Sequence, residues 1–194
     1  MPKIMFEAVL EYAKVFDQEG KSGDIDRGDA KSSQKWLREL AKNPHAVVNC
    51  YFTKQEDIDR ILNHENFDNK VVNPQTGAES TRIKAGRAEF GLGQYLQLKR
   101  KLTDQVEFID RKTGELVVVD KGGAPEVKLV EFVDGAIEST EYDYDENGPI
   151  GNGTKALVVF ELYGKGATRL EKIGVTNLVH YEQNGEGGNG GFGF

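Results

Sequence analysis

A chain of 194 residues, 38% hydrophobic and 29% charged, suits one domain with a sizeable core and excludes a disordered protein. No apolar run approaches the roughly 18 residues of a membrane span, the first segment alternates instead of forming a leader, and the single Cys50 excludes an internal disulfide, so a cytoplasmic protein without membrane contact is expected. The net charge of −7 argues against indiscriminate attraction to nucleic acid, which rests on lysine and arginine.

Residues 6–16 alternate as a strand does, with Leu10, Tyr12, Lys14 and Phe16 on one side and Val9, Glu11, Ala13 and Val15 on the other. Residues 18–29, glycine-rich and charged, form a loop. Ser32 or Ser33 then caps a helix to about Asn43, with Trp36, Leu37, Leu40 and Ala41 on one face and Pro44 after its end. Residues 46–52 are a second strand, in which Cys50 shares a face with Val48 and Phe52 and reads as a small core hydrophobe. Thr53-Lys54-Gln55-Glu56 has the capping-box pattern, and Ile58, Ile61 and Leu62 make a short amphipathic helix to about Asn63. Residues 66–80, with Asn73-Pro74 and Thr76-Gly77, read as a loop.

Residues 93–102 form a strand, and 106–109 with 116–120 a hairpin around Asp110-Arg111-Lys112-Thr113-Gly114. Residues 127–133 are another strand, 134–153 a long acidic loop, and 154–163 with 170–181 a closing hairpin around Gly164-Lys165-Gly166. Short strands, glycine turns and one to three short helices predict a mostly β, largely antiparallel barrel or sandwich over residues 1–182. Residues 183–194 hold six glycines and end in Phe192-Gly193-Phe194, which reads as a flexible tether whose two rings hook a partner, or as a frayed end with incidental aromatics.

Charge is divided by segment. Residues 82–101 carry six basic residues, Arg82, Lys84, Arg87, Lys99, Arg100 and Lys101, against Glu89 alone, while 131–154 carry seven acids and no base. In 94–103, Leu96, Leu98 and Leu102 share one side and Tyr95, Gln97, Lys99, Lys101 and Thr103 the other; only Arg100 breaks the pattern. Side chains on one face recur at about 6.6 Å, near the spacing of nucleotides in a stretched single strand, so lysines can meet phosphates while Tyr95 stacks on a base. The same residues also describe a solvated edge strand guarded by lysines, a common device. Lys155, Tyr163, Lys165 and Arg169 place an aromatic and cations around the closing hairpin, and Tyr12, Phe16 and Phe90 are further candidates for stacking.

No signal for chemistry accompanies these residues. His45, His64 and His180 have no metal-ligand spacing, and GxSxG, HExxH and GxxxxGK[ST] are absent. Gly151-Asn152-Gly153-Thr154-Lys155 is superficially like a phosphate cradle, but a strand follows it, not a helix. Asp143, Asp145 and Glu146 read as a solvated acidic loop. No catalytic residue, metal or cofactor is expected.

The stretch Ile150-Gly151-Asn152-Gly153-Thr154-Lys155 running into Ala156-Leu157-Val158-Val159-Phe160-Glu161-Leu162-Tyr163, then 170–182, resembles the last hairpin of the single-stranded-DNA-binding proteins of tailed bacteriophages. Residues 94–102 are similar to their basic central strand, Leu116-Val117-Val118-Val119-Asp120 to their valine-rich strand, and 47–61 to their strand and short helix. The resemblance implies an OB-fold, a five-stranded antiparallel barrel whose groove holds a single strand without chemistry, in phage replication, recombination and repair in the host cytoplasm. It also implies a C-terminal tail that recruits replication proteins such as a polymerase or helicase, here through Phe192 and Phe194, and it admits a homodimer. Those tails are strongly acidic, whereas 183–194 holds only Glu186; acids 131–146 are expected to compete with DNA in its place. The other reading is a structural or adaptor β-domain of a virion, docking a neighbour through the same two phenylalanines.

Overall fold

Period-two alternation, which puts every second side chain on one face of a strand, organises the computed structural model, which describes residues 2–16, 45–102, 105–120, 123–163 and 166–181. The elements in chain order are β1 (Lys3–Lys14), β2 (His45–Phe52), α1 (Gln55–Leu62), β3 (Lys70–Val72), β4 (Glu79–Thr81), β5 (Ile83–Ala85), β6 (Gln94–Lys101), β7 (Gln105–Ile109), β8 (Leu116–Asp120), β9 (Glu126–Val133), β10 (Ala136–Glu141), α2 (Tyr144–Asn147), β11 (Lys155–Tyr163) and β12 (Ala167–Asn177). Eight strands form one sheet in the order β10-β9-β12-β11-β1-β2-β6-β5; β3–β4 and β7–β8 are separate ribbons. The pairings in the large sheet are antiparallel apart from β9 with β12, which is parallel. The chain is thus mostly β, as its alternation predicts.

Phe6 of β1 lies at the middle of the core, stacked on Phe52 at 4.8 Å and edge-on to Phe160 at 5.8 Å. Leu96 and Leu98 of β6 enter the same core as Leu170 and Ile173 of β12, each contributing about 1.5–3 kcal/mol by leaving water. Cys50 is fully buried among them, and burial pushes its thiol well above the usual range. Since β6 and β12 are not neighbours in the pairing order yet share one core, the sheet is curled. It is not closed, because no backbone ladder joins them.

Arg100 occupies that seam. Alternation calls for an apolar residue there; instead Arg100 Nε donates to Gly123 O at 2.8 Å and Nη1 to Leu170 O and Glu171 Oε1, both at 3.3 Å. Burial, with Arg169 nearby, lowers its pKa, which Glu171 opposes. Charge-assisted bonds of this kind are worth about 1.5–3 kcal/mol. Arg100→Ala should therefore lower the urea midpoint by the equivalent of about 1–3 kcal/mol; an unmoved midpoint would mean that the seam contributes nothing to stability.

Elsewhere the chain departs from its linear pattern. β1 is regular only to Glu11, where a bulge shifts the register before Lys14; Glu11 and Tyr12 both turn from the core, so Ala13 and Val15 follow Leu10 into it. The capping box is not formed. The N-cap of α1 is Lys54 without a side-chain cap bond, because Thr53 Oγ1 donates to Glu7 Oε2 at 3.0 Å instead. Residues 66–80 are not simply loop but include β3 and part of β4, and 134–153 contains β10 and α2, whose Asp143 cap accepts from Asp145 N and Glu146 N. The helix expected before Pro44 and the tail 183–194 lie outside the described residues.

Candidate nucleic-acid interface

The face of β1, β2, β6 and β5 turned from the core gathers residues that are remote in sequence. Cross-strand register sets Lys84, Tyr95, Tyr51, Val9 and Lys155 side by side on β5, β6, β2, β1 and β11. Neighbouring strands lie about 4.8 Å apart, so lysines terminate a row about 19 Å long. The next row is Gln97, Asn49 and Glu11, and beyond it stand Lys99, Val47 and Lys14.

The middle row is a hydrogen-bonded chain centred on Glu11, only 4% exposed. Its Oε1 accepts from Asn49 Nδ2 at 3.1 Å and Tyr51 OH at 3.2 Å, and its Oε2 meets Arg87 Nε at 2.8 Å. A buried carboxylate is tolerable only when paired and bonded in this way. Because it only accepts, Asn49 must donate inward and turn its carbonyl outward, where Gln97 Nε2 donates to it at 3.0 Å. Arg87 carries the chain onward: Nη2 donates to Tyr12 Oη at 2.8 Å, and its guanidinium lies 5.6 Å from the Tyr12 ring centre and 5.7 Å from that of Phe90. Tyr12 and then Glu11 hold that guanidinium above its ordinary pKa. Burial, reinforced by Glu11 and opposed by the Arg87 N–H, raises the Tyr51 phenol.

Tyr12 reaches this face through strain. Its φ of 51° lies in the left-handed region that side chains other than glycine seldom adopt, and its N–H is received by Asn152 Oδ1 at 2.8 Å. Asn152 belongs to the turn 150–155, and that turn is a brace, not a phosphate cradle. Gly151 N donates to Val179 O, Gly153 N to Leu10 O and Thr154 N to Gly151 O, so these amides are already used. A Cβ on Gly151 would stand 2.6 Å from both Val179 O and His180 O, which explains why the turn needs glycine there.

Residues 86–93 strap the aromatic end of the face. Gly91, with φ +52, rests against Phe52, whose carbonyl a Cβ there would meet at 2.2 Å, and Leu92 N donates to the same oxygen at 2.8 Å. Gly86 lies against the rings of Tyr51 and Tyr95. Tyr51 is buried, 5.0 Å from Tyr95 and edge-on to Phe90 at 5.3 Å. Tyr95 is half-buried and Tyr12 is 52% exposed, so these two rings remain presentable to a ligand.

The expected site residues therefore divide. Lys84, Lys99, Lys101 and Lys155 are exposed, with no carboxylate partner among the described residues; with Tyr95 and Tyr12 they share the outward surface or its edge. Arg87 is on that surface but committed to Glu11, and Phe90 is half-buried beneath it. Arg82 Nε donates to Asp68 O at 2.7 Å, Arg100 fills the seam, and Arg169 lies 3.9 Å from Glu171, so these three are engaged within the fold. Phe16 is core, stacked on Tyr142 at 5.0 Å and edge-on to Tyr144 at 4.8 Å, which corrects its expected stacking role. Lys165, the Tyr163 ring, Phe192 and Phe194 lie outside the described residues. Glu11, Asn49, Gln97 and Tyr51 were not expected in the site; their signal is that each takes an outward position beside an apolar inward run.

Among the described residues no group of three His, Cys, Asp or Glu is placed to hold a metal ion, and no helix is long and apolar enough to cross a membrane. Comparison with protein-family models, with curated proteins and with solved structures finds no match to the chain.

Proposed function

We propose that this chain is a sequence-tolerant single-stranded-DNA-binding protein that coats and protects DNA during bacteriophage replication, recombination and repair, without catalysing a reaction. The observation that carries the reading is the row Lys84–Tyr95–Tyr51–Val9–Lys155, with free lysines at its ends and a presentable ring within it. Lysines supply phosphate contacts and a π-face accepts any base, so the combination favours single strands without favouring a sequence. The reading takes the curled, open run β12-β11-β1-β2-β6 as an OB-fold barrel, a fold whose strand face serves oligonucleotides. In this reading the tail 183–194 recruits a polymerase or helicase through Phe192 and Phe194.

The test is titration of tyrosine fluorescence with a dT oligonucleotide, then with duplex DNA, over a range of salt. Quenching, tighter binding of the single strand and a linear fall of log affinity with log salt are expected. Tyr95→Ala should weaken binding by about 1–3 kcal/mol, close to equally for oligonucleotides of different base composition. Absence of binding at low salt would reject the proposal and leave the virion adaptor as the better account.

A further inference from the structure

The β9–β10 hairpin ends the large sheet at the edge opposite β5, and it is built unlike a protected edge. Natural edge strands are shortened, covered or guarded by charge, above all by lysine; β10 is six residues long, exposed throughout, and carries two glutamates but no basic residue. Phe132 and Ile137 stand directly opposite one another, 64% and 61% exposed. Glu131 and Glu138 stand opposite one another in the next pair, so the latter two side chains lie on the other face of the hairpin. Like charges so paired are destabilising. The hairpin's one lysine, Lys128, lies at its base and is taken by Glu126 at 3.1 Å and Glu141 at 3.5 Å. At these two pairs one face thus lacks an apolar neighbour and the other a cation, and the strand edge lacks a hydrogen-bonding partner among the described residues; Glu141, on the face of Ile137, is already held by Lys128.

A single kind of occupant supplies all three. We propose that β10 is a docking edge for an extended segment of another protein in which apolar and basic residues alternate. Added as a ninth strand, such a segment pairs its backbone with the open edge, sets an apolar side chain beside Ile137, with Phe132 one strand further in, and sets a lysine or arginine beside Glu138 on the opposite face, with Glu131 one strand further in. Strand addition takes affinity from the backbone and specificity from alternate side chains, and here the two faces of β10 define which side chains fit. A second copy pairing through the same edge with Glu138 opposite Glu138 is disfavoured by that charge, and it supplies no cation in any register of β10. The inference is independent of DNA binding, since β5 and β10 are the two ends of the strand order.

The experiment uses the full chain and labelled ten-residue peptides read by fluorescence anisotropy: alternating valine and lysine, alternating valine and glutamate, and the valine–lysine composition separated into two blocks. The alternating valine–lysine peptide should bind at least tenfold more tightly than either other peptide. Phe132→Ser with Ile137→Ser should weaken it at least tenfold, and Glu131→Lys with Glu138→Lys should transfer preference to the glutamate peptide. The replaced side chains are exposed, and a circular dichroism melt checks the fold; if either double variant fails to fold, the single Glu138→Lys must still narrow the preference at least threefold. Equal binding of the alternating and block peptides, or indifference to these replacements, would overturn the proposal, as would concentration-dependent dimerisation lost on Glu138→Lys.

Discussion

Glu11→Ala should lower the unfolding free energy by about 2–4 kcal/mol, read as a lower urea midpoint at unchanged slope. The substitution removes the acceptor for Asn49 Nδ2 and Tyr51 OH. Each polar group left buried and unbonded costs about 1–3 kcal/mol. Arg87 adds less, because its side chain is 45% exposed and recovers water when its partner is lost. Glu11→Gln keeps the shape and one carbonyl acceptor, so it should cost less than half as much. A midpoint unmoved by Glu11→Ala would mean that the polar row contributes nothing to the fold. Because Arg87 holds Tyr12 and covers Phe90, loss of Glu11 should also loosen the exposed ring, lowering affinity for a dT oligonucleotide even where the protein remains folded.

Replacing Lys84, Lys99, Lys101 and Lys155 together by alanine should have the largest effect on binding. Each phosphate contact on a single strand contributes about 0.7 to the slope of log affinity against log salt, so four lost contacts should reduce that slope by about 3 and the affinity near 50 mM salt by about a thousandfold. All four side chains are exposed, so the melting temperature should scarcely change. The rival account of these lysines as guards of a solvated strand makes the opposite prediction: unchanged affinity and a protein that aggregates. Measuring both quantities on one preparation separates the two.

The parity of 94–102 was readable because β6 has one wet and one dry face, and the leucines and lysines follow it residue by residue. Its exception, Arg100, was visible as an exception but not as a seam, since Gly123, Leu170 and Glu171 become neighbours only when the sheet curls. In β1 the alternation misled from Tyr12 onward: the bulge is held by Asn152, 140 positions away, and no local pattern announces it. Phe16 looked like a stacking ring for the same reason. β10 escaped notice because both its faces are exposed, which erases the period-two signal that marks a half-buried strand. Thr53-Lys54-Gln55-Glu56 satisfied a local rule that a tertiary partner, Glu7, overrode. Glu11, Asn49 and Gln97 each read as one polar residue in a strand; only the register of β1, β2 and β6 makes them a row.

On the proposed reading, the distance between Lys84 and Lys155 also sets a stoichiometry. A single strand stretched to about twice the 3.4 Å duplex rise places about three nucleotides along a row about 19 Å long. Sites on OB-type domains span about 4–16 nucleotides, so the sheet alone accommodates only the middle of a footprint. The occluded length per protein, measured by titration, would then report how much of the chain beyond these strands a bound single strand touches.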